Sequence, residues 1–354
     1  MAGIEEYLKK IQPLIDREIE KVFPRKITKK WLEYALDKAD FAYDEETMTK
    51  SAAEPIWELL DRGGKRLRPA LAMLACEAVG GKKELALKIA PIVEIIHNGT
   101  LIEDDAEDCS ETRRGKKCTH LLYGLDVAIN DGAAMYFIPL TLLYKNPYKL
   151  KKKQISKIYD LYAQEMIRVS MGQAIDIWWH RGNKTEISEE EYLQMCVYKT
   201  GVLTRFSAKL GAILGNANEK QEKALGKFGE TIGVAFQIQD DVLNLVGEEF
   251  QKGKGIGEDI HEGKRTIMVL HALKNSGQAD GNRLIEILNS HPTEQAVINE
   301  AIGIIKKNGS IEYAKEKAKT LVKNAWKKLS PVLKESNAKK TLKEFADYLI
   351  ERKI

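Results

Sequence analysis

The segment 101–115, LIEDDAEDCSETRRG, closes an apolar stretch with the carboxylates Glu103, Asp104, Asp105, Glu107 and Asp108. At about 100° per residue, a helix stacks Asp104 and Asp108 on one face. Like charges at that spacing repel, and carboxylates near a helix C-terminus oppose its dipole, each by roughly 0.3–1 kcal/mol. A divalent cation held between them removes both penalties. Oxygen ligands call for a hard cation, and a few carboxylates beside a phosphate group suit Mg²⁺ better than a closed Ca²⁺ cage. Taken alone, the cluster reads equally as a solvated acidic helix end. FQIQDDVLN, residues 236–244, repeats the device, with Asp240 and Asp241 after an apolar helix and Gln237 and Asn244 on the Asp240 face. Two such helices facing one another would make one multi-metal site.

Cations accompany both clusters. GGKRLRP supplies Lys65, Arg66 and Arg68 after two permissive glycines, TRRGKK supplies Arg113 and Arg114, and the polar, glycine-rich stretch 247–265 adds Lys254, Lys264 and Arg265. Guanidinium forks and lysine point charges suit diphosphate oxygens. Metal-binding carboxylates joined to phosphate-binding cations imply a polyanionic substrate bridged by Mg²⁺. GGK lacks the spacing and preceding strand of a P-loop. His97, two turns before Asp104, suits a packed histidine as well as a ligand-binding one. Lys199–Thr200 suits an ordinary helix surface, and Trp178–Trp179 a core or interface.

Helices must position these groups. Apolar residues recur at three- and four-residue steps: Ile89, Ile92, Val93, Ile96; then Tyr159, Tyr162, Met166, Val169; then Leu225, Phe228, Ile232, Ala235, Phe236. Strand signatures are nearly absent. Gly63–Gly64 and Gly80–Gly81 break helices, and Ser188 is placed to cap the helix that follows RGNKTEIS. With 354 residues, 44% hydrophobic and no linker or short repeat, the chain reads as one all-α domain. A net charge of +4 argues against a dedicated nucleic-acid binder. The lysine-rich C-terminal third reads as a solvated helix face. Four scattered cysteines, no secretory pattern and no uninterrupted apolar run of 18–20 residues place the expected protein in the cytoplasm, with no transmembrane segment.

GGKRLRP, DDAED with CSETRRG, GQAID, YKTG, FQIQDDVLN and GKGIGEDIHEGK, in this order across residues 63–264, closely resemble the motifs of the trans-isoprenyl (polyprenyl) diphosphate synthases. The resemblance implies a single-domain helical bundle of the isoprenoid synthase type around a central apolar cavity. Residues 1–60 would be an N-terminal helical region, 63–264 the motif-bearing core and 265–354 the C-terminal helices. It implies three Mg²⁺ ions held by Asp104, Asp108 and Asp240, with Asp105 and Asp241 supporting. Arg113, Lys199, Lys254 and Lys264 would hold an allylic diphosphate, and Lys65, Arg68, His97 and Arg114 isopentenyl diphosphate. Thr200, Gln237 and the Lys199 region would face the reacting carbons, with Asp176 orienting Lys199. The protein would be a homodimer.

Some positions depart from the family pattern. Glu103 stands where many members have His, Ala106 replaces a larger aliphatic residue, Asn244 replaces a third Asp, and about 60 residues before GGK is long. Small Gly99 and Thr100, five and four positions before Asp104, leave open a level that short-product members close with aromatics. Ile96, roughly 12 Å up the helix, would form a deeper floor. HNGTLIEDDAED and AIDIWW resemble geranylgeranyl diphosphate synthases, so a twenty-carbon product is expected, with twenty-five carbons or more as the rival. The second Asp motif and the isopentenyl-site cations argue against a class I terpene cyclase, and two intact Asp motifs against a non-catalytic subunit.

Overall fold

The structure is a computed structural model and describes residues 2–246 and 257–351. It is all-α. Among the described residues the strands are β1 (Thr112–Arg113) and β2 (Lys116–Lys117), a two-residue antiparallel pair. The chain gathers into two compact units, Met1–Asp160 with Leu210–Ala217, and Leu161–Lys209 with Asn218–Ile354.

The first unit contains α1 (Ala2–Val22), α2 (Lys29–Leu36), α3 (Glu45–Met48), α4 (Glu54–Asp61), α5 (Leu67–Ala78), α6 (Lys83–Ile89), α7 (Pro91–Glu107), α8 (Thr119–Tyr123), α9 (Leu125–Phe137) and α10 (Thr141–Tyr144). α1 is amphipathic: Ile4, Leu8, Ile11, Ile15 and Ile19 recur at helical spacing and are buried. α7 starts with Pro91 in its first turn and buries Ile92, Val93, Ile95, Ile96 and Ile102. It stops at Asp108, because Cys109 takes a left-handed conformation (φ 53°). Two helical stretches, Lys83–Glu107 and Leu125–Tyr144, are long and apolar enough to cross a membrane by length and composition, although neither is an unbroken apolar run. The apolar window of the first is 67% buried inside the protein, as a core helix is.

The second unit is built on α11 (Lys152–His180, from Leu161 onward), α12 (Glu189–Cys196), the first part of α13 (Val202–Leu214) and α14 (Glu219–Val246), followed by six further helices between Glu258 and Glu351. Ser188 caps α12 as its sequence indicates, in a reciprocal capping box with Glu191. α14 buries Phe228, Ile232, Ala235, Ile238 and Val242, and Phe228 meets Trp326 edge-on at 5.9 Å. Arg205 on α13 binds both oxygens of buried Glu165 at 3.0 Å and also Glu230, so three charges enter this core together. Trp179 is buried and Trp178 exposed.

Candidate active site

In the first unit, α7 carries the carboxylates. The Asp108 backbone N–H donates to the Asp104 carbonyl at 2.9 Å, so the helical turn persists through Asp108 and stacks the two side chains as the spacing requires. Both are half-buried, whereas Asp105 is 2% exposed and points away from them into the β-hairpin. There Arg113 on β1 donates through Nε to both Asp105 oxygens, at 2.8 and 3.1 Å, and reaches within 3.8 Å of Asp104. Burial opposes the charge of Arg113, but the Asp105 hydrogen bonds raise its pKa well above normal. Asp105 thus braces Arg113, whose guanidinium also reaches the acidic turn.

Two turns up α7 lies a cluster of cations. Gly63 and Gly64 (φ 86° and 142°) and Arg66 (φ 50°) fold the GGKR segment tightly. A side-chain carbon on Gly64 would come within 3.3 Å of Arg66 and 3.4 Å of Arg114, so glycine lets both guanidiniums close on the turn. Arg114 donates to the Gly63 carbonyl and to Asn98 Oδ1. Arg68 Nε is buried with no hydrogen-bond partner. Burial pulls the pKa of Arg68 down to about 10, against the pull of Glu94, and burial with the neighbouring guanidiniums also brings Arg114 to about 10. Burial and the charges of Arg68, Arg114, Arg113 and Arg66 hold the His97 pKa well below its normal range, which favours the neutral ring. Lys65 is exposed at the rim. An orphaned buried guanidinium nitrogen amid crowded cations fits an anion with several oxygens.

In the second unit, a π-helical turn, Val197–Gly201, carries Lys199 and Thr200. Three glycines let other helices pinch it. A carbon added to Gly172 on α11 would sit 2.4 Å from the Lys199 backbone nitrogen, one on Gly201 2.9 Å from the Glu230 carbonyl, and one on Gly233 2.1 Å from Thr204 Oγ1. The glycines of GQAID and YKTG are thus close-approach positions that aim the turn. Lys199 Nζ donates to Asp176 Oδ2 at 2.5 Å. Thr200 Oγ1 donates to Gln237 Oε1 at 2.6 Å, and Gln237 Nε2 to Asp241 Oδ1 at 2.8 Å. The Tyr192 hydroxyl, which the sequence did not single out, donates to Asp241 Oδ2 at 2.8 Å. Asp241 is thus buried with both oxygens engaged; burial pushes its pKa up, against those two bonds and Lys264. Asp241 is engaged as Asp105 is, whereas Asp240 beside it is half-buried.

Lys264 ion-pairs with Glu262, and with Asp259 at 3.6 Å. Asn244, where the family pattern has Asp, accepts from the Asp259 backbone at 3.2 Å and so anchors this segment. Lys254 lies outside the described residues. Among the described residues no three Asp, Glu, His or Cys side chains form a ready-made metal cage. Mg²⁺ does not need one: it uses one or two carboxylates, keeps waters and takes substrate phosphate oxygens. Asp104 and Asp108 in the first unit, and separately Asp240 in the second, are hard oxygen donors left partly open beside buried, braced neighbours, which is the donor chemistry that Mg²⁺ takes.

The sequence-predicted floor residues separate on inspection. Ile96 is fully buried, and Thr100 is half-buried with its hydroxyl on the His97 carbonyl at 2.8 Å. Gly99 does not open space: α9 backbone fills the position its side chain would take. Glu103 accepts from the Tyr136 hydroxyl on α9, and Gly132 makes room for it.

The family model for polyprenyl synthetase matches residues 49–305. The chain belongs to the polyprenyl synthetase family. It is accordingly an enzyme of the prenyltransferase class. The short chain isoprenyl diphosphate synthase of Methanothermobacter thermautotrophicus is 37% identical over 295 residues, 83% of this chain and 88% of that one. The geranylfarnesyl diphosphate synthase of Aeropyrum pernix is 31% identical over 298 residues, 83% and 92% of the two chains. The solved geranylgeranyl pyrophosphate synthetase from Pyrococcus horikoshii aligns over 99% of both chains, with 32% identity and a TM-score of 0.86.

Proposed function

We propose that the chain condenses isopentenyl diphosphate with allylic diphosphates to a linear all-trans product, geranylgeranyl diphosphate, with residues 1–354 acting as one catalytic domain. The observation that carries this reading is on α7: a neutral histidine amid crowded guanidiniums, and seven residues on, about 10 Å along the axis, a pair of stacked carboxylates. One end suits a bare diphosphate and the other a metal-bridged one. The motif order extends the second role to Asp240 and to Lys199, Lys254 and Lys264.

Lys65, Arg68, His97 and Arg114 hold isopentenyl diphosphate. Arg113, Lys199, Lys254 and Lys264 hold the allylic diphosphate. Bound Mg²⁺, coordinated by Asp104, Asp108 and Asp240 and expected as three ions, supplies electrostatic stabilisation of the departing diphosphate. The allylic C–O bond breaks with its electron pair leaving on diphosphate oxygen. The isopentenyl double bond then attacks the allylic carbon, and a proton from the isopentenyl unit passes to the released diphosphate. Asp176 orients Lys199 toward the leaving group. The Thr200–Gln237 pair presents fixed oxygen dipoles to the developing cation. Apolar helices exclude the water that would quench it.

The Pyrococcus relative's name supports twenty carbons and the Aeropyrum relative's twenty-five. A homodimer is supported by two exposed apolar stripes: Leu125, Ile129 and Phe137 on α9, and Ile167, Met171 and Trp178 on α11. The cytoplasm is the proposed compartment.

Incubation of the purified protein with Mg²⁺, isopentenyl diphosphate and five-, ten-, fifteen- or twenty-carbon primers, with dephosphorylated products sized by mass spectrometry, tests the reading. Accumulation at twenty carbons is expected. Longer products would keep the reaction and change the product, whereas a cyclic hydrocarbon, or no elongation, would overturn the reaction itself.

A further inference from the structure

Glu94 stands in the most apolar part of α7, between Val93 and Ile95, and is 3% exposed. A carboxylate is placed there only at a desolvation cost that close partners must offset. Its partners lead straight to the cluster of cations. Arg66 Nη1 donates to Glu94 Oε1 at 3.0 Å. Asn98, one turn on and fully buried, donates to the Glu94 carbonyl at 2.8 Å and to Glu94 Oε1 at 3.3 Å, while its Oδ1 accepts from Arg114. Arg66 also donates through Nε to Asp16 on α1 at 2.7 Å and through Nη2 to the Leu60 carbonyl at 3.1 Å. All three guanidinium nitrogens of Arg66 are thereby committed inside the protein. Although Arg66 stands between Lys65 and Arg68 in sequence, its guanidinium is not available to a diphosphate.

We propose that Glu94 is a positioning residue of the isopentenyl diphosphate pocket: through Arg66 it fixes the 63–68 turn, through Asn98 it aims Arg114, and through the Asp16–Arg66 pair α1 becomes part of the pocket's frame. This rests on the assignment of that pocket to isopentenyl diphosphate. Two features separate a positioning role from general core packing. The hydrogen-bonded paths from the Glu94 side chain run to the glycine turn, to the end of α4 that leads into it, to Arg114 and to α1. Glu94 is also the carboxylate whose charge acts on Arg66, Arg68 and Arg114 together, and so holds their mutual repulsion in check.

The test uses the full-length protein with Glu94→Gln and Asp16→Asn. Asp16 is partly exposed, so its variant reports on the frame even where the buried substitution impairs folding. Two measurements are made: steady-state KM for each substrate with Mg²⁺, and calorimetric affinity for inorganic diphosphate in metal-free buffer, where the cationic pocket is the binding site under test. Glu94→Gln is expected to raise the isopentenyl diphosphate KM about tenfold or more, with the allylic KM within twofold and kcat within threefold. Asp16→Asn is expected to shift the same constant in the same direction by less, and diphosphate affinity should fall in parallel. Equal changes in both KM values, or a lower kcat at unchanged isopentenyl KM and diphosphate affinity, would overturn the proposal. If the wild type binds diphosphate without turning substrate over, the reaction assignment fails, and the affinities of the variants still decide the role of Glu94.

Discussion

Gly99 on α7 packs directly on Gly132 of α9: a side-chain carbon on Gly99 would lie 2.9 Å from the Gly132 carbonyl oxygen and 2.9 Å from Met135 Cβ. Backbone cannot step aside as a flexible side chain can. Gly99→Ala is therefore expected to destabilise the fold by about 1–3 kcal/mol, the usual range for overpacking. An aromatic at this position should prevent folding rather than shorten the product. Thermal unfolding beside product sizing checks this: a Gly99→Phe protein with wild-type Tm and a shorter product would show that position 99 lines the pocket after all.

Asp104 and Asp108 oppose stability, a cost that the proposed Mg²⁺ would remove. In metal-free buffer Asp108→Asn relieves the repulsion with Asp104 and the conflict with the helix dipole, so a gain of about 0.3–1 kcal/mol is expected. Condensation activity should fall by about a thousandfold or more, as when electrostatic stabilisation of a leaving group is removed. Urea unfolding in chelator, paired with turnover at saturating Mg²⁺, measures both. A variant that is less stable and still active would return this cluster to a solvated helix end.

Asp176 holds the Lys199 ammonium at 2.5 Å, and its proposed role runs through that lysine. Asp176→Asn keeps the shape and removes the charge that orients the lysine. The KM for the allylic diphosphate is expected to rise about tenfold while the isopentenyl KM stays within twofold, the reverse of the split expected for Glu94→Gln. Kinetics with each substrate varied in turn distinguish the two; a loss of kcat alone would place Asp176 in the packing of the turn instead.

Helix content was legible in sequence because three- and four-residue spacing is a local signal, and Ser188 and Glu191 announce their capping box within four residues. The stacking of Asp104 on Asp108 was legible too, since the four-residue spacing is local and the helical turn runs through Asp108. What was not legible depends on partners distant in sequence. Gly99 read as an opening because a helical glycine means either space or contact, and only Gly132 and Met135, more than thirty residues on, decide for contact. Arg66 read as one more phosphate ligand until Asp16 and Glu94, 50 and 28 residues away, were seen to hold it. The π-turn at 197–201 has ordinary helical spacing, and its shape is imposed by Gly172 and α14. Tyr192 carried no signal at all, because a tyrosine near a helix start points nowhere until Asp241 is found beside it.

Asp131 sets the pH dependence expected of the fold. It is fully buried on α9; one oxygen accepts from Asn130 at 3.2 Å and the other has no partner. Burial pushes its pKa from 3.8 up to about 7, against the smaller effect of Asn130. Below about pH 4 the carboxyl is neutral whether the chain is folded or not, and its contribution to stability is fully present. Between about pH 4 and 7 the unfolded chain releases the proton while the folded one keeps it, so stability is lost as pH rises, and above about 7 the loss is complete. At about 1.4 kcal/mol per unit of pKa difference the loss amounts to about 2–4 kcal/mol, the lower figure allowing for relaxation around the charge. Asp131→Asn cannot ionise and is expected to escape it. Urea unfolding of both proteins at pH 4.5, 6.0 and 7.5 should show the variant's advantage growing with pH and levelling off above 7. Parallel stability curves would mean that the Asp131 carboxyl titrates alike in the folded and unfolded chains.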